Sequence, residues 1–592
     1  MVIKDKTKMK DKLIKNINQI LKELGVKNPK VNFDVPTHIE MGDYSTNVAM
    51  VYAKQLGRKP IELAKEITTH LEVELPSVEI EVVLPGFINF FFDKDYFGDI
   101  VKTIISEKNN FGKSHFLKGQ EIMVEFTDPN PFKEFHIGHL MSNSIGESIS
   151  RVLEFQGAKI KRANWQGDVG IHIAKAVWGM FHSPLSEDDK STIGKSVVYL
   201  GRCYALGESQ YEEDENVKKE IEEINNKVYE RNDLEINQKY DWGRKISLDY
   251  FETIYKKLGT KFDYYFFESK EGVLGKKIVE EYLKKGVFEE SEGAVVFRGE
   301  KYGLHTRVFI NSKGIPTYEA KELGLNREKF NVEPKLNQSI IITGNEINEY
   351  FKVLLQVISL IFPEIGQKTK HLSHGMLRLP EGKMSSRTGS VISVESLITK
   401  IQEKVLEKME DRKMEKEERN SISEIITIGA LKYSILKQTI GKDIIFDFDK
   451  SISFEGDSGP YLQYACVRAK SILQKSAMSK MPFDISQKTG MLGVSKMPFD
   501  IGVLGEWQTT DLERLLERFP DVVKRAGEEY SPSYITTHLI ELAGEFNSFY
   551  ASHKIIDEKD ETSPYRLALT QAFVFVMTSG LNLLGIKVPE QM

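Results

Sequence analysis

Glu121-Ile122-Met123-Val124-Glu125-Phe126 runs through Asp128-Pro129-Asn130-Pro131 and His136-Ile137-Gly138-His139 into an apolar-periodic stretch from Leu140 to Phe155. The first segment is a short strand signal. The two prolines of the second cannot donate a backbone hydrogen bond and mark a loop, and the 3.6-residue periodicity of the last marks a helix. After Gly157, Lys159 to Asn164 is a second strand signal. Strand, loop, helix and strand in that order make a βαβ unit with parallel strands, whose ligands bind beyond the carboxyl ends of the strands.

Working outward, Val82 to Phe92 contains Val82-Val83-Leu84-Pro85-Gly86-Phe87-Ile88-Asn89-Phe90-Phe91-Phe92, which reads as strand, turn and strand. From about 180 to 260 the chain is charged and helical in pattern, especially Tyr211 to Asn237, as expected of an insertion dividing an α/β domain. The sheet resumes at Ser339-Ile340-Ile341-Ile342-Thr343, a β-branched run fit for a buried parallel strand. From Leu397 the pattern is helical, including Glu403 to Arg419 and the stretch ending Leu581-Asn582-Leu583-Leu584-Gly585. A chain of 592 residues and 67.7 kDa exceeds what one core holds, so several domains are expected. The expected fold is multidomain α/β plus all-α. It comprises a small α+β domain at 1–110, a Rossmann-type parallel-sheet catalytic domain at 111–395 with its helical insertion, a helical linker at 396–450 and a helical bundle at 451–592.

No apolar run approaches the ~18 residues needed to cross a bilayer, which argues against a membrane role. Residues 1–30 carry nine lysines against Asp5, Asp11 and Glu23, with no apolar core of a secretory signal, so a cytoplasmic protein is expected. Only Cys203 and Cys466 occur, without metal-ligand spacing, which argues against structural zinc or a disulfide framework. The net charge of −6 weighs against a nucleic-acid partner, yet the first thirty residues alone sum to +6. There Ile14, Ile17, Leu21 and Leu24 form a stripe at helical spacing beneath a basic face. Ser-Lys-Met-Pro-Phe-Asp-Ile occurs at 479–485 and again at 495–501, a local duplication expected to enlarge a surface loop.

Gly112-Lys113-Ser114 and Gly194-Lys195-Ser196 resemble phosphate loops, but Glu107 and Asp189 occupy the position of the required glycine. His136-Ile137-Gly138-His139 has a different physical use. Imidazoles flanking a glycine at a helix start stand beside a polyphosphate, where the helix N-terminus favours negative charge and Lys133 adds a cation. Some 245 residues later, Lys383-Met384-Ser385-Ser386-Arg387 supplies a second cation on a glycine-bounded loop, suited to charge developing on a leaving pyrophosphate. Their pairing points to activation of a carboxylate on ATP.

The two segments resemble the HIGH and KMSKS signatures of the class I aminoacyl-tRNA synthetases, with Ser386 in place of the second signature lysine. Within that class the chain resembles the arginyl-tRNA synthetases over its whole length. The resemblance is carried by Gly42-Asp43-Tyr44-Ser45-Thr46-Asn47, Pro85 to Asn89, Val124 to Asn130, Gly167-Asp168-Val169-Gly170 and the ending Pro589-Glu590-Gln591-Met592. It implies that His136, His139, Lys133 and Lys383 are catalytic. It implies ATP binding by His136, Gly138, His139, His374-Gly375-Met376, Lys383 and Ser385. Glu125, Asp128, Asn130, His139, Tyr318 and Glu322 are then expected to hold arginine, whose planar fork of donors demands carboxylates set to accept it in pairs. Asp128 departs from the family's usual serine and Glu322 from its usual aspartate.

For tRNA(Arg) the resemblance implies contact of the N-terminal domain, through Phe87 and Asn89, with the D-loop. It also implies anticodon contact through Tyr461, Gln463, Tyr464 and Arg468 of the helical C-terminal part, as suits stacking on unpaired bases. Mg²⁺ is expected to accompany ATP, with no DNA partner and a monomeric chain. Two alternatives remain: a class I synthetase for another amino acid, and a tRNA-binding paralogue without catalysis.

Overall fold

The computed structural model describes residues 9–36, 38–75, 78–378, 393–412, 414–477 and 507–592. The duplicated segments at 479–485 and 495–501 lie outside them, as do Lys383 and Ser385. The chain groups into two units. One comprises residues 1–111, 471–518 and 545–575, the other 112–470, 519–544 and 576–592.

In the first unit, the helix Met9–Glu23 buries Leu13, Ile17, Ile20 and Leu21. The expected stripe is therefore corrected at two places: Leu13 and Ile20 are buried, while Ile14 and Leu24 lie only half-covered at its edges. Strands β1 (Tyr44–Thr46), β2 (Val78–Val83) and β3 (Phe87–Phe92) form an antiparallel sheet with β3 in the middle. The strand-turn-strand reading of 82–92 is thus found, with β2 beginning earlier. Helix Pro60–Glu74 packs Leu63, Ile67 and Leu71 into the same core as Ile88 and Phe90. The buried Asp43 carboxylate accepts from Phe92 N–H at 2.7 Å and takes the Arg514 guanidinium at 2.6 Å.

The second unit is built on a five-stranded sheet. Its strands are β4 (Glu121–Glu125), β5 (Lys159–Gln166), β6 (Tyr264–Phe267), then, after an antiparallel excursion through β7 (Glu289–Ser291), β8 (Ala294–Phe297) and β9 (Arg307–Ile310), β10 (Gln338–Gly344) and β11 (Thr369–His374). The sheet order is β11-β10-β4-β5-β6 and every neighbouring pair is parallel. From β4 the chain steps outward to β5 and β6, then returns to the other side of β4 for β10 and β11. The strand order therefore reverses between β4 and β10, where a crevice opens beyond the carboxyl ends. The helical insertion is present as Ile193–Glu213, Glu215–Glu230 and Leu234–Leu258. The antiparallel β7-β8-β9 sheet was not anticipated, because its strands are only three or four residues long and too short to show a period-two pattern.

Helix Ile137–Phe155 connects β4 to β5 and is buried almost all round, including Ser142, Asn143, Ser144, Glu147, Ser148 and Ser150. These small polar side chains allow close approach on several sides. Gly146 shows the tightest case, since a Cβ there would lie 2.2 Å from Phe126 Cγ. Its one buried acid, Glu147, is paired with Arg151 at 2.7 Å and Arg162 at 2.8 Å. From Val394 on, the described residues are mainly helical, apart from a two-residue strand, Ile444–Ile445, parallel to Leu377–Arg378.

Candidate active site

A cavity of about 580 Å³ occupies the crevice. Thr127, Asp128 and Asn130 line it from the loop after β4, Ile342 to Gly344 from the end of β10, and His374 from the end of β11; His136, Gly138 and His139 form one wall. The structure thus brings the histidine tetrad, the β4 loop and His374 to one place.

His136 is the N-cap of helix Ile137–Phe155: its backbone is extended, and Gly138 N–H donates to its Nδ1 at 3.1 Å. In return His136 N–H donates to His139 Nδ1 at 3.2 Å, so the two imidazoles close a capping box. Their rings stack with centroids 3.6 Å apart and planes 19° from parallel. Burial, then the neighbouring Lys133 cation, lowers His136 to about 4, and burial, His136 and Lys133 hold His139 well below its ordinary value. Both rings are therefore neutral donors and acceptors at pH 7. Lys133 stands behind them, its ammonium 4.5 Å from the Tyr204 ring centroid, its own pKa lowered chiefly by burial.

The loop between β4 and the tetrad is strained. Thr127, Asp128 and Phe132 have φ of 85°, 47° and 66°, values that non-glycine residues rarely adopt. Four hydrogen bonds hold it. Thr127 N–H donates to Ser142 Oγ at 2.9 Å, Asn143 Nδ2 to Thr127 Oγ1 at 3.0 Å, Trp165 N–H to Asp128 Oδ1 at 2.8 Å, and Phe132 N–H to Ser247 Oγ at 2.9 Å.

Beneath Asp128 lies an acidic cluster. Glu125 ends β4, and Glu322 and Lys329 lie seven residues apart on helix Tyr318–Val332; all three are buried. Glu125 Oε2 and Lys329 Nζ are 2.5 Å apart. Burial and then the Glu125 carboxylate push the carboxyls of Asp128 and Glu322 well above their ordinary values. A second buried pair, Glu268 and Lys321 at 2.6 Å, adjoins it. Next to that pair, a Cβ at Gly167 would lie 2.3 Å from Asn130 Oδ1, so the glycine is what lets Asn130 approach. Asp168 is wholly buried and accepts from Ser269 N–H at 2.9 Å, Ser269 Oγ at 2.8 Å and Arg244 Nε at 2.9 Å. Tyr318, the first residue of its helix, is 54% exposed, with the Lys321 ammonium 5.2 Å from its ring centroid, and is not among the residues lining the cavity.

His374 is buried, and Gly375 lets the backbone approach Lys442, where a Cβ would meet the carbonyl oxygen at 2.2 Å. Met376, 42% exposed, lines the cavity and donates its N–H to Asp443 Oδ1 at 2.9 Å. Arg378 also lines the cavity, and Ser393 forms a backbone bridge with His136. The described residues on either side of the segment carrying Lys383 and Ser385 thus both meet the crevice. Sequence reasoning overlooked Thr343, Glu346 and Arg378, which carry no motif of their own. It also overlooked Lys329, whose partner Glu125 lies far away in the chain. Among the described residues no group of three or more His, Cys, Asp or Glu is placed to hold a metal ion.

The expected tRNA contacts fare unequally. Phe87 is 37% exposed on β3, but Asn89 is buried and its Oδ1 accepts from Ser45 Oγ at 2.7 Å. Of the two, Phe87 is open to solvent and Asn89 is covered. Gln463 is fully buried. Its Nε2 donates to Lys587 O at 2.7 Å and Ile425 O at 3.3 Å, so it ties helix Gly459–Ala477 to its neighbours instead of facing a base. Tyr461, Tyr464 and Arg468 are half-buried, and the Arg468 guanidinium lies 4.7 Å from the Tyr464 ring centroid.

Three family models match the chain: tRNA synthetases class I (R), catalytic domain, over residues 100–448; the DALR anticodon binding domain over 462–592; and the arginyl tRNA synthetase N terminal domain over 11–92. The arginine–tRNA ligase of Halothermothrix orenii is 30% identical over 98% of this chain and 99% of its own, and that of Treponema denticola 32% identical over 95% of each. In fold, the chain is similar to the arginyl-tRNA synthetase of Thermus thermophilus, with a TM-score of 0.78, 24% identity and 99% and 100% of the two chains covered. The catalytic-domain model and the parallel sheet make the chain a class I aminoacyl-tRNA synthetase, an enzyme class that uses ATP. Within that class, the chain belongs to the arginyl-tRNA synthetase family.

Proposed function

We propose that the crevice between β4 and β10 carries out both steps of the ligation of L-arginine to tRNA(Arg), through an arginyl-adenylate. The reaction is the charging of tRNA with arginine in translation. ATP lies across the carboxyl ends of the strands, its adenine near His374-Gly375-Met376 and its phosphates against His136, Gly138 and His139. The neutral imidazoles donate to phosphate oxygens as negative charge grows on the pyrophosphate, while the amides opening helix Ile137–Phe155 favour that charge. Lys383 and Ser385 act on the phosphates from the signature segment, and Lys133 supplies a further cation. Mg²⁺ comes with the phosphates of ATP and supplies charge neutralisation there.

Arginine enters beside Asn130 and Asp128, its guanidinium directed toward Glu125 and Glu322, with Tyr318 at the entrance. Its carboxylate attacks the α-phosphate, pyrophosphate leaves, and the terminal ribose hydroxyl of tRNA then takes the arginyl group from the adenylate. The observation that carries this reading is the cluster of three carboxyls, Asp128 lining the crevice with Glu125 and Glu322 buried next to it, which neutral amino acids would leave unpaired. A four-part division at about 110, 395 and 450 would separate tRNA elbow, catalytic, stem and anticodon functions; the family models over 11–92, 100–448 and 462–592 break near the first and last of these bounds and run unbroken through the second. The chain acts as a cytoplasmic monomer on tRNA and not on DNA; among the described residues no helix is long and apolar enough to cross a membrane.

The test is ATP–pyrophosphate exchange with each of the twenty amino acids, with and without total tRNA. Exchange with arginine alone is expected, and only when tRNA is present. Exchange with another amino acid would overturn the substrate, and no exchange at all would overturn catalysis.

A further inference from the structure

The acidic cluster contains a cation of its own. Lys329 is 0% exposed and reaches its charge partner Glu125 beneath Asp128, from helix Tyr318–Val332, which also carries Glu322. The contact is close, 2.5 Å, yet neither Glu125 Oε2 nor Lys329 Nζ has a partner in hydrogen-bond geometry, so the pair is held by charge and burial. Asn326 Oδ1, one turn before Lys329, and the Tyr350 hydroxyl, which senses the Glu322 charge, are also buried without a hydrogen-bond partner. With its three carboxyls ionised, a cluster that holds one ammonium and unpartnered acceptors at Asn326 and Tyr350 is short of positive charge. A guanidinium supplies it, with five N–H donors in a plane and one delocalised charge.

We propose that Lys329 is a positioning and specificity-determining residue for arginine: it aims Glu125 into the pocket and balances one of the three carboxyls. The floor is left in need of one further cation, which the substrate side chain brings. This rests on the placing of the arginine side chain proposed above. The groups that face one another are Glu125 on β4, Asp128 on the loop after it, Glu322 and Lys329 on one helix, and Glu268 on the next. Without the ligand, burial and the Glu125 charge favour the protonated forms of Asp128 and Glu322; the arriving guanidinium favours their ionised forms. Arginine binding therefore releases protons, and the arginine KM falls as pH rises from acid toward neutral. A neutral isostere of the guanidinium, such as the ureido group of citrulline, gains nothing from that ionisation and is rejected.

The experiment compares the full-length enzyme with Lys329→Met and Glu125→Gln, alone and together, in pyrophosphate exchange with tRNA present, over a range of pH. Met nearly matches the volume of the buried lysine stem. Lys329→Met is expected to raise the arginine KM on the order of tenfold or more and flatten its pH dependence, with the ATP KM little changed. If Lys329 acts through Glu125, the double variant is no worse than Glu125→Gln alone. An unchanged arginine KM in Lys329→Met, or an ATP KM that rises in parallel, would overturn the proposal, the second outcome marking a merely structural lysine. If Glu125→Gln also leaves the arginine KM unchanged, the placing of arginine itself fails. If Glu125→Gln raises it and Lys329→Met does not, only the role of Lys329 fails.

Discussion

Acidification should weaken the start of helix Ile137–Phe155 by an amount set by His136. A histidine whose folded pKa is depressed stabilises the fold above its unfolded value of 6.5, and that contribution is lost as pH falls toward about 4. Protonation in the unfolded chain then pulls against a ring stacked at 3.6 Å on a second histidine and facing Lys133. Between about pH 7.5 and about pH 5, the linkage amounts to about 2 kcal/mol for His136 alone, an upper figure because the ring keeps some solvent access. His136→Asn removes the titrating group but retains an oxygen able to cap the helix. Hydrogen exchange of the helix amides gives the local opening free energy, and comparing the two proteins at each pH cancels the titrating groups that do not touch His136; His139, whose titration His136 lowers, belongs to the difference. Wild type is expected to lose about 2 kcal/mol more than the variant over this range. A gap between the two that stays constant with pH would refute the buried, neutral imidazole pair.

Three further outcomes follow from the packing. Gly146→Ala places a methyl 2.2 Å from Phe126 Cγ at the base of the strained loop, and is expected to cost about 1–3 kcal/mol in thermal or urea denaturation and to lower adenylation with it. Gln463→Ala removes the bonds to Lys587 O and Ile425 O and should lower stability by about 1–3 kcal/mol, while the tRNA KM of the folded fraction stays within about twofold. Deleting one of the repeats at 479–485 and 495–501 is expected to leave aminoacylation nearly unchanged, and a large rise in the tRNA KM would refute this.

What could be read from residues alone was governed by period and by punctuation. The parallel strands at 121–125 and 338–344 announce themselves through apolar runs and the strand at 159–166 through its place after Gly157, and the order of β4, helix and β5 leaves one place for a ligand. The histidine tetrad was legible because its function depends on local sequence: residue, glycine, residue at a helix start. Lys329 was not, because an ion pair between residues 204 positions apart leaves no local trace. Gln463 misled for the opposite reason. A polar residue among tyrosines on a helix looks like a surface for bases, while its burial is decided by Lys587 and Ile425, far away in the chain. Asn89 failed similarly, since a short antiparallel sheet with one covered face does not reveal which of its polar residues has a neighbour such as Ser45 to satisfy it.

The helix after β4 is the clearest place where a local rule yields to the site. An interior helix facing a sheet should be lined by large apolar side chains, yet Ser142 and Asn143 are buried there. Both bond to Thr127, which with Asp128 and Phe132 adopts a left-handed backbone costing on the order of 1–3 kcal/mol per residue. The four anchoring hydrogen bonds, each contributing about 1 kcal/mol, offset a good part of that strain. What the strain achieves is geometric. Reversing the chain within a few residues of β4 puts Asp128 and Asn130 on one wall of the crevice and returns the backbone in time for His136 to cap the next helix on the other. A relaxed loop would have to be longer, and Asp128 and the imidazole pair would no longer line one 580 Å³ cavity. The unusual polarity of the helix and the unusual backbone of the loop are therefore one feature, and its product is the spacing that sets Asp128 and Asn130 beside the imidazole pair in one crevice.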